Sequence, residues 1–241
     1  MSLPLSVYKR MPRRMPLSLG FDRYALYFDG EDDYVELPAN DVLRVTSGDF
    51  TCEIMFKYLG RNGNYPSIIA IDYDWGVGGF ALSAETYPDS PFAVCDGAAQ
   101  LKLYMKTKVG VGEIHYYVIR KYGSTWEIWL DGKLDAKDEL SSGKTGGSRF
   151  KICGEPEVPR YVKGIVYFVR LYNRALSESE ICYNLLNYHN PVRDGLVLWL
   201  DFEEGHGDKV YDKSGYGNHG TIYGAKWIKV RQYELRAEVG L

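Results

Sequence analysis

An all-β fold, a two-sheet antiparallel jelly-roll β-sandwich with one short helix, is what this sequence predicts. Three observations lead there. Apolar and polar residues alternate with a period of two, which puts one face of a strand in a core. Gly, Asp and Asn turns separate many short runs of this kind. Only one segment has helical periodicity. The composition agrees: 21 Tyr and 26 Gly among 241 residues suit strands, turns and amphipathic surfaces, and a single all-β domain of roughly 200–250 residues is common.

The strand candidates run 24–29, 34–37, 50–58, 67–72, 79–84, 91–95, 101–106, 115–122, 126–130, 149–153, 163–172, 196–202 and 220–229. Phe50, Cys52, Ile54, Phe56 and Tyr58 form the apolar half of one alternation, and Leu101, Leu103 and Met105 that of another. Trp126, Ile128 and Leu130 alternate with Glu127, Trp129 and Asp131, and Asp131-Gly132 supplies a hairpin turn. The helix begins at a capping box, with Ser177 at the N-cap and Glu180 at the third helical position. Ile181, Leu185 and Tyr188 follow at helical spacing, and Asn190-Pro191 is the expected stop. The Ser- and Gly-rich stretch 141–148 reads as an exposed loop. The organisation expected is a basic arm over 1–23, one sandwich domain over 24–229 and an extension over 230–241.

A formal net charge of -3 argues against a nucleic-acid partner, which generally needs a basic surface. Positive charge gathers instead at the ends, in Lys9, Arg10, Arg13, Arg14 and Arg23 and in Lys226, Lys229, Arg231 and Arg236. No run approaches the roughly 18 apolar residues of a membrane span. Pro4, Pro12 and Pro16 interrupt any apolar leader core, so no signal peptide is read here. Cys52, Cys95, Cys153 and Cys182 are widely spaced without a CxxC pair, against zinc ligation.

Ala25-Leu26-Tyr27-Phe28-Asp29-Gly30, followed by Asp32-Asp33-Tyr34-Val35-Glu36-Leu37-Pro38, resembles the opening strand pair of the concanavalin A-like, laminin-G-type jelly rolls. Phe50 to Ile54 resembles that family's next inward strand, and Trp126 to Gly132 its strand ending in a turn of this kind. Val169 to Ser177 resembles its last strand and the start of its terminal helix. The segment from Gly195 to Gly205, with Asp212-Lys213-Ser214-Gly215 and Gly217-Asn218-His219-Gly220-Thr221, is similar to the family's N-terminal segment but stands near the C-terminus. The resemblance therefore implies a circular permutation of the domain. It also implies a structural calcium, yet the acidic pair such a site draws on corresponds to Tyr167 and Phe168 here.

Two sets of site residues stand out. Tyr65, Tyr73, Trp75 and Tyr87 lie in and beside inter-strand loops with Asp72 and Asp74, and flat aromatic faces next to carboxylates suit sugar rings. Asp29, Asp32, Glu204 and Asp212 offer the hard oxygens a calcium ion takes, although local turn bonding by Asp29, Asp32, Asp33, Asp212, Ser214 and Asn218 explains the same residues. For catalysis, Glu127 and Asp131 share a strand face, but Trp129 stands where the acid of a glycosidase triplet would be. The first functional reading is a non-catalytic structural or adhesive module of a virion or extracellular surface assembly. It would meet other protein subunits, including copies of itself, through its two ends. The alternative is a lectin-like carbohydrate-binding module; a glycoside hydrolase has least support.

Overall fold

A computed structural model describes residues 22–63, 65–74, 78–84, 92–96, 101–139, 150–155 and 160–231. The basic arm before residue 22, the extension after 231 and the 141–148 stretch lie outside the described residues. In chain order the first strands are β1 (Asp22–Asp29), β2 (Tyr34–Leu37), β3 (Phe50–Asn62), β4 (Ser67–Asp74), β5 (Gly78–Ala84) and β6 (Phe92–Asp96). Then come β7 (Leu101–Tyr104), β8 (Ile114–Tyr122), β9 (Thr125–Leu130), β10 (Lys133–Glu139), β11 (Phe150–Ile152) and β12 (Gly154–Glu155). After β13 (Arg160–Tyr172) and α1 (Glu178–Leu186), the chain ends in β14 (Leu196–Leu200), β15 (Lys209–Val210), β16 (Gly220–Tyr223) and β17 (Lys226–Arg231).

These strands form two antiparallel sheets. The first has the order β10-β9-β8-β3-β13-β1-β17, with β12 and β14 also on β13; the second has the order β15-β16-β2-β11-β4-β5-β6-β7. The late strands are woven into both. β14 and β1 lie end to end along one side of β13, opposing Val169–Tyr172 and Lys163–Val166 respectively. β17 pairs with β1 so that Asp22 faces Arg231, and β16 pairs with β2. The segment after the helix thus completes this chain's own sandwich.

Alternation explains the core between the sheets. Phe50, Cys52, Ile54 and Phe56 point into it, together with Ile69, Ile71, Phe80, Leu82, Trp126 and Ile128. Phe50 stacks on Phe80 at 4.8 Å and meets the edge of Trp126 at 5.4 Å. Each such ring taken from water contributes about 1.5–3 kcal/mol. Buried Cys52 and Cys153 are free thiols, and desolvation pushes both up in pKa.

Besides the short extra strands β12 and β15, three departures from the expectations have a clear physical reason. The helix stops at Leu186 because Asn187 closes it, its N–H reaching the Tyr183 carbonyl, so Tyr188 packs from the following loop. The 220–229 run is two strands broken at Gly224, whose φ is +76° and where a Cβ would strike the Asp33 carboxylate. β10 has no apolar alternation, since Ala136 alone of its residues is buried, and it is an edge strand whose charges discourage further pairing.

Candidate functional site

Each sheet has one face in the core and one outward. The outward face of the β3–β13 sheet is largely covered. Met55, Tyr116, Val118, Trp129, Phe168 and Tyr172 meet Leu176, Ile181, Leu185, Tyr188, Leu196 and Trp199 there in a second apolar cluster. Beneath the helix sits an ion pair between Arg170 and Glu53, 3.0 Å apart and fully buried. Tyr116 and Asn184 donate to the same carboxylate at 2.6 and 2.8 Å. Beside this packed part of the face lies a cavity lined by Arg23, Met55, Phe168, Tyr188, His189 and Asp201.

The outward face of the other sheet is different. Val35, Leu37, Phe150, Ile152, Ile69, Ile71, Phe80, Leu82 and Leu103 turn to the core. Their neighbours along each strand turn outward. The register then lays Thr221, Glu36, Lys151, Ala70 and Ala81 in one row across β16, β2, β11, β4 and β5. The row continues through the backbone of Cys95 on β6 to Lys102 on β7. Small side chains stand at its centre, and Ala70, Ala81, Ser67 and Ser83 are all buried. Tyrosines flank them: Tyr104 is exposed at the β7 edge, and Tyr34 stacks on exposed Tyr223 at the other side.

Of the predicted sugar residues, the structure describes the side chain of Tyr65 alone. Asp72, Tyr73 and Asp74 are the last residues of β4, a central strand, although their side chains lie outside the described residues. Trp75 and Tyr87 lie outside them altogether. Tyr65 enters β4 from the turn after β3 with φ of 59°, a left-handed backbone that an aromatic residue rarely adopts. Such strain gathers at ligand-contacting turns. The Lys102 ammonium sits 4.3 Å from the centre of its ring, which joins this turn to β7 across the sheet.

The four expected cation ligands do not share one place. Among the described residues, the cluster of donors within 4.8 Å of one another is Asp29, Asp32 and Asp33, in the β1–β2 turn. Asp33 accepts from the Asp29 N–H at 2.8 Å, and Asp29 from the Glu31 N–H at 2.9 Å. Burial raises the Asp33 carboxyl pKa, the Asp29 hydrogen bond opposing it. A calcium ion takes six to eight oxygens, so these three carboxylates would leave much of its shell to carbonyls or water. Asp212 is committed elsewhere. It accepts from the Trp199, Ser214 and Asn218 N–H groups and from the Ser214 hydroxyl, at 2.8–3.0 Å. Glu204 accepts from the Tyr211 N–H at 2.8 Å.

The carboxylates considered for catalysis are also engaged. Glu127 accepts from Arg120 Nε and Trp129 Nε1 at 2.8 Å and from the Tyr122 hydroxyl at 3.0 Å. Burial pulls its pKa up, but these three donors outweigh it and hold the group below the usual carboxylate range. Asp131 accepts from the Tyr116 N–H at 2.9 Å and pairs with His115 at 2.7 Å. A carboxylate held ionised by three donors is a poor general acid.

Tyr34, Tyr104 and Tyr223 were not among the expected site residues. The signal was present: each is an aromatic residue at the polar position of a two-residue alternation, as in Tyr34-Val35-Glu36-Leu37 and Thr221-Ile222-Tyr223. No described helix is long and apolar enough to cross a membrane.

A family model described as the concanavalin A-like lectin/glucanases superfamily matches residues 29–182. Comparison with curated proteins finds no match. Among solved structures, a Bacteroides ovatus protein assigned provisionally to carbohydrate binding superposes with a TM-score of 0.67 at 16% identity. That match covers 87% of this chain and 60% of the other, so this chain spans less than two thirds of its relative. A heptameric SAP-like pentraxin of Limulus polyphemus gives 0.55 at 13% identity, over 83% and 94% of the two chains. The CBM40 of a Ruminococcus gnavus IT-sialidase, bound to α2,3-sialyllactose, gives 0.53 at 14%, over 68% and 96%.

Proposed function

Because the chain belongs to the concanavalin A-like lectin/glucanases superfamily, we propose that it is a non-catalytic carbohydrate-binding module. Its ligand meets the outward face of the β2–β7 sheet near Tyr65, and Asp72, Tyr73, Asp74, Trp75 and Tyr87 are assigned to the same site from the sequence alone. The observation that carries this reading is the unequal treatment of the two outward faces. One is packed under a helix and a second apolar cluster. The other carries tyrosines beside lysines and hydroxyls, with Tyr65 held in a strained turn under Lys102. Aromatic faces receive the CH surfaces of a pyranose, and neighbouring polar groups hydrogen-bond its hydroxyls.

Two relatives of the same fold support the reading, the Ruminococcus domain through its bound sialyllactose and the Bacteroides protein through its provisional assignment. The commitment of Glu127 to Arg120, Trp129 and Tyr122 supports a binding role over hydrolysis. The surface-assembly reading depends on the two ends, which lie almost wholly outside the described residues.

A glycan array probed with the full chain tests the proposal. Wild-type protein is expected to retain at least one glycan class, and Trp75→Ala and Tyr65→Ala to lose it while their thermal unfolding stays near that of wild type. Undiminished binding by both variants would move the site elsewhere. An array blank for wild-type protein would remove the reading.

A further inference from the structure

We infer that the cavity at the start of β1 is a second binding site, which takes the uncharged hydroxymethyl group of a hexose. The identity of the ligand rests on the glycan-binding reading above, while the site lies apart from the sheet face assigned there.

Strand alternation and the late part of the chain build the cavity. Leu26 and Phe28 are core residues, so Arg23 and Ala25 face outward on β1. Pairing sets Arg23 opposite Val230 on β17, and Met55 on β3 opposite Phe168 on β13. Leu200 pairs with Val169, which brings the next residue, Asp201, alongside Phe168. The loop after the helix adds Tyr188 and His189. Met55, Phe168, Tyr188 and Val230 are each more than nine-tenths buried, so the walls are apolar and aromatic.

The polar groups are balanced in charge with one atom left over. Arg23 is ion-paired with Glu203, donates to His189 Nε2 and lies over the Tyr188 ring, 5.0 Å from its centre. Lys213 is ion-paired with Asp201 through Oδ2. Asp201 is 8% exposed, and its other oxygen, Oδ1, is buried and accepts no hydrogen bond. A carboxylate oxygen taken from water without a donor is costly, so this atom calls for a donor from outside the chain.

Three constraints select that donor. It must reach Asp201 Oδ1. It must add no charge, because two carboxylates already face two cations; an ammonium would bury a positive charge in excess and a carboxylate would meet Asp201. It must also be small, since the enclosed part of the cavity has about the volume of one water molecule and the rest is open mouth. A primary alcohol meets all three. Its O–H donates to Oδ1, and its CH2 lies against Phe168 and Met55. The sugar ring then stays at the mouth beside Arg23 and His189, whose side chain is 47% exposed.

NMR titration of the full chain with methyl glucoside, methyl galactoside and methyl mannoside, each beside its 6-deoxy form, reads the site. Wild-type protein is expected to bind at least one of the three, and its 6-deoxy form about tenfold more weakly, the order of one hydrogen bond to a charged group. Asp201→Ala should bind the two forms alike, and Tyr65→Ala should bind both as wild type does. Val230→Met, which fills the cavity from β17 and leaves Asp201 in place, should weaken the hexoside with little change in thermal unfolding. The comparison of the two glycosides needs no variant, so it holds even if a substitution disturbs the fold. Equal affinity of wild-type protein for a hexoside and its 6-deoxy form overturns the cavity site and leaves the glycan reading standing. So does binding that Tyr65→Ala loses and Asp201→Ala keeps, or a crystal grown with the hexoside that shows only a water at Asp201 Oδ1. Failure of wild-type protein to bind any glycan, on the array or in solution, overturns both.

Discussion

Two tyrosines on outward faces of the same sandwich have opposite circumstances. Tyr116, on β8, is fully buried and donates to Glu53 at 2.6 Å beneath the helix. Burial, foremost, and the Glu53 charge push its hydroxyl well above the usual pKa. Tyr223, on β16, is 42% exposed and touches another aromatic ring. The first face is packed under residues 176–199, which bring their own apolar side chains over the sheet's Arg170–Glu53 ion pair. No described helix lies against the second. The comparison teaches that two outward faces of one sandwich can be treated differently, one packed under a helix and the other, on the proposed reading, meeting a ligand. It also says where substitutions should cost stability and where they should cost binding.

The largest effect is expected under the helix. Glu53 holds Arg170, Tyr116 and Asn184, and neither it nor Arg170 touches solvent. Glu53→Ala leaves a buried guanidinium without its counter-charge, which should cost about 3–5 kcal/mol in denaturant unfolding. Removing both charges together, in Glu53→Leu with Arg170→Met, should be far less damaging than either change alone. If Glu53→Ala unfolds at the wild-type denaturant midpoint, the closed face is not what holds this sheet to its helix.

A smaller, pH-dependent effect belongs to the rim where the chain crosses between sheets. Residues 105–113 connect β7 to β8, and His115 sits at their end between Asp131 Oδ2 at 2.7 Å and Glu113 Oε2 at 3.2 Å. Burial disfavours the charged ring, but the hydrogen bonds and charges of the two carboxylates prevail and raise its pKa above 6.5. A pKa higher in the folded than in the unfolded chain means stabilisation that is complete below 6.5 and lost as pH rises through the folded value. Wild-type protein should therefore lose stability relative to His115→Gln between mildly acidic and mildly alkaline pH. Parallel curves for the two proteins across that window would show that the crossover carries no such tie.

How legible this was depended on the range of the interactions. The Ser177–Glu180 capping box and the 34–37 strand are local, and both stand where the sequence placed them. The helix stop was misjudged by a few residues because Asn187 caps it before the proline is reached. Thr51, Glu53 and Met55 read as the polar or exposed half of an alternation, yet all are buried, since their cover comes from residues more than a hundred positions later. β10 escaped notice because an edge strand buries almost nothing. At the candidate site, Tyr65 and the Asp72–Asp74 cluster stood out by composition. The partnership of Tyr34 with Tyr223 did not, because it exists only through pairing of β2 with β16.

The smallest effect on stability is expected at Tyr104, and it bears directly on the open face. The residue ends β7, the edge strand of its sheet, and is 38% exposed. Leu103 beside it is the one that reaches the core. Tyr104→Ala removes an exposed ring that is not part of the core cluster, so the unfolding free energy should shift by about 0.5 kcal/mol, as for ordinary surface substitutions. A loss of about 2 kcal/mol or more would mean that the ring is part of a packed layer. The β2–β7 sheet would then be covered as the β3–β13 sheet is, and the difference between the two faces would be one of degree. A neutral change in stability accompanied by weaker glycan binding would place Tyr104 in contact with the ligand.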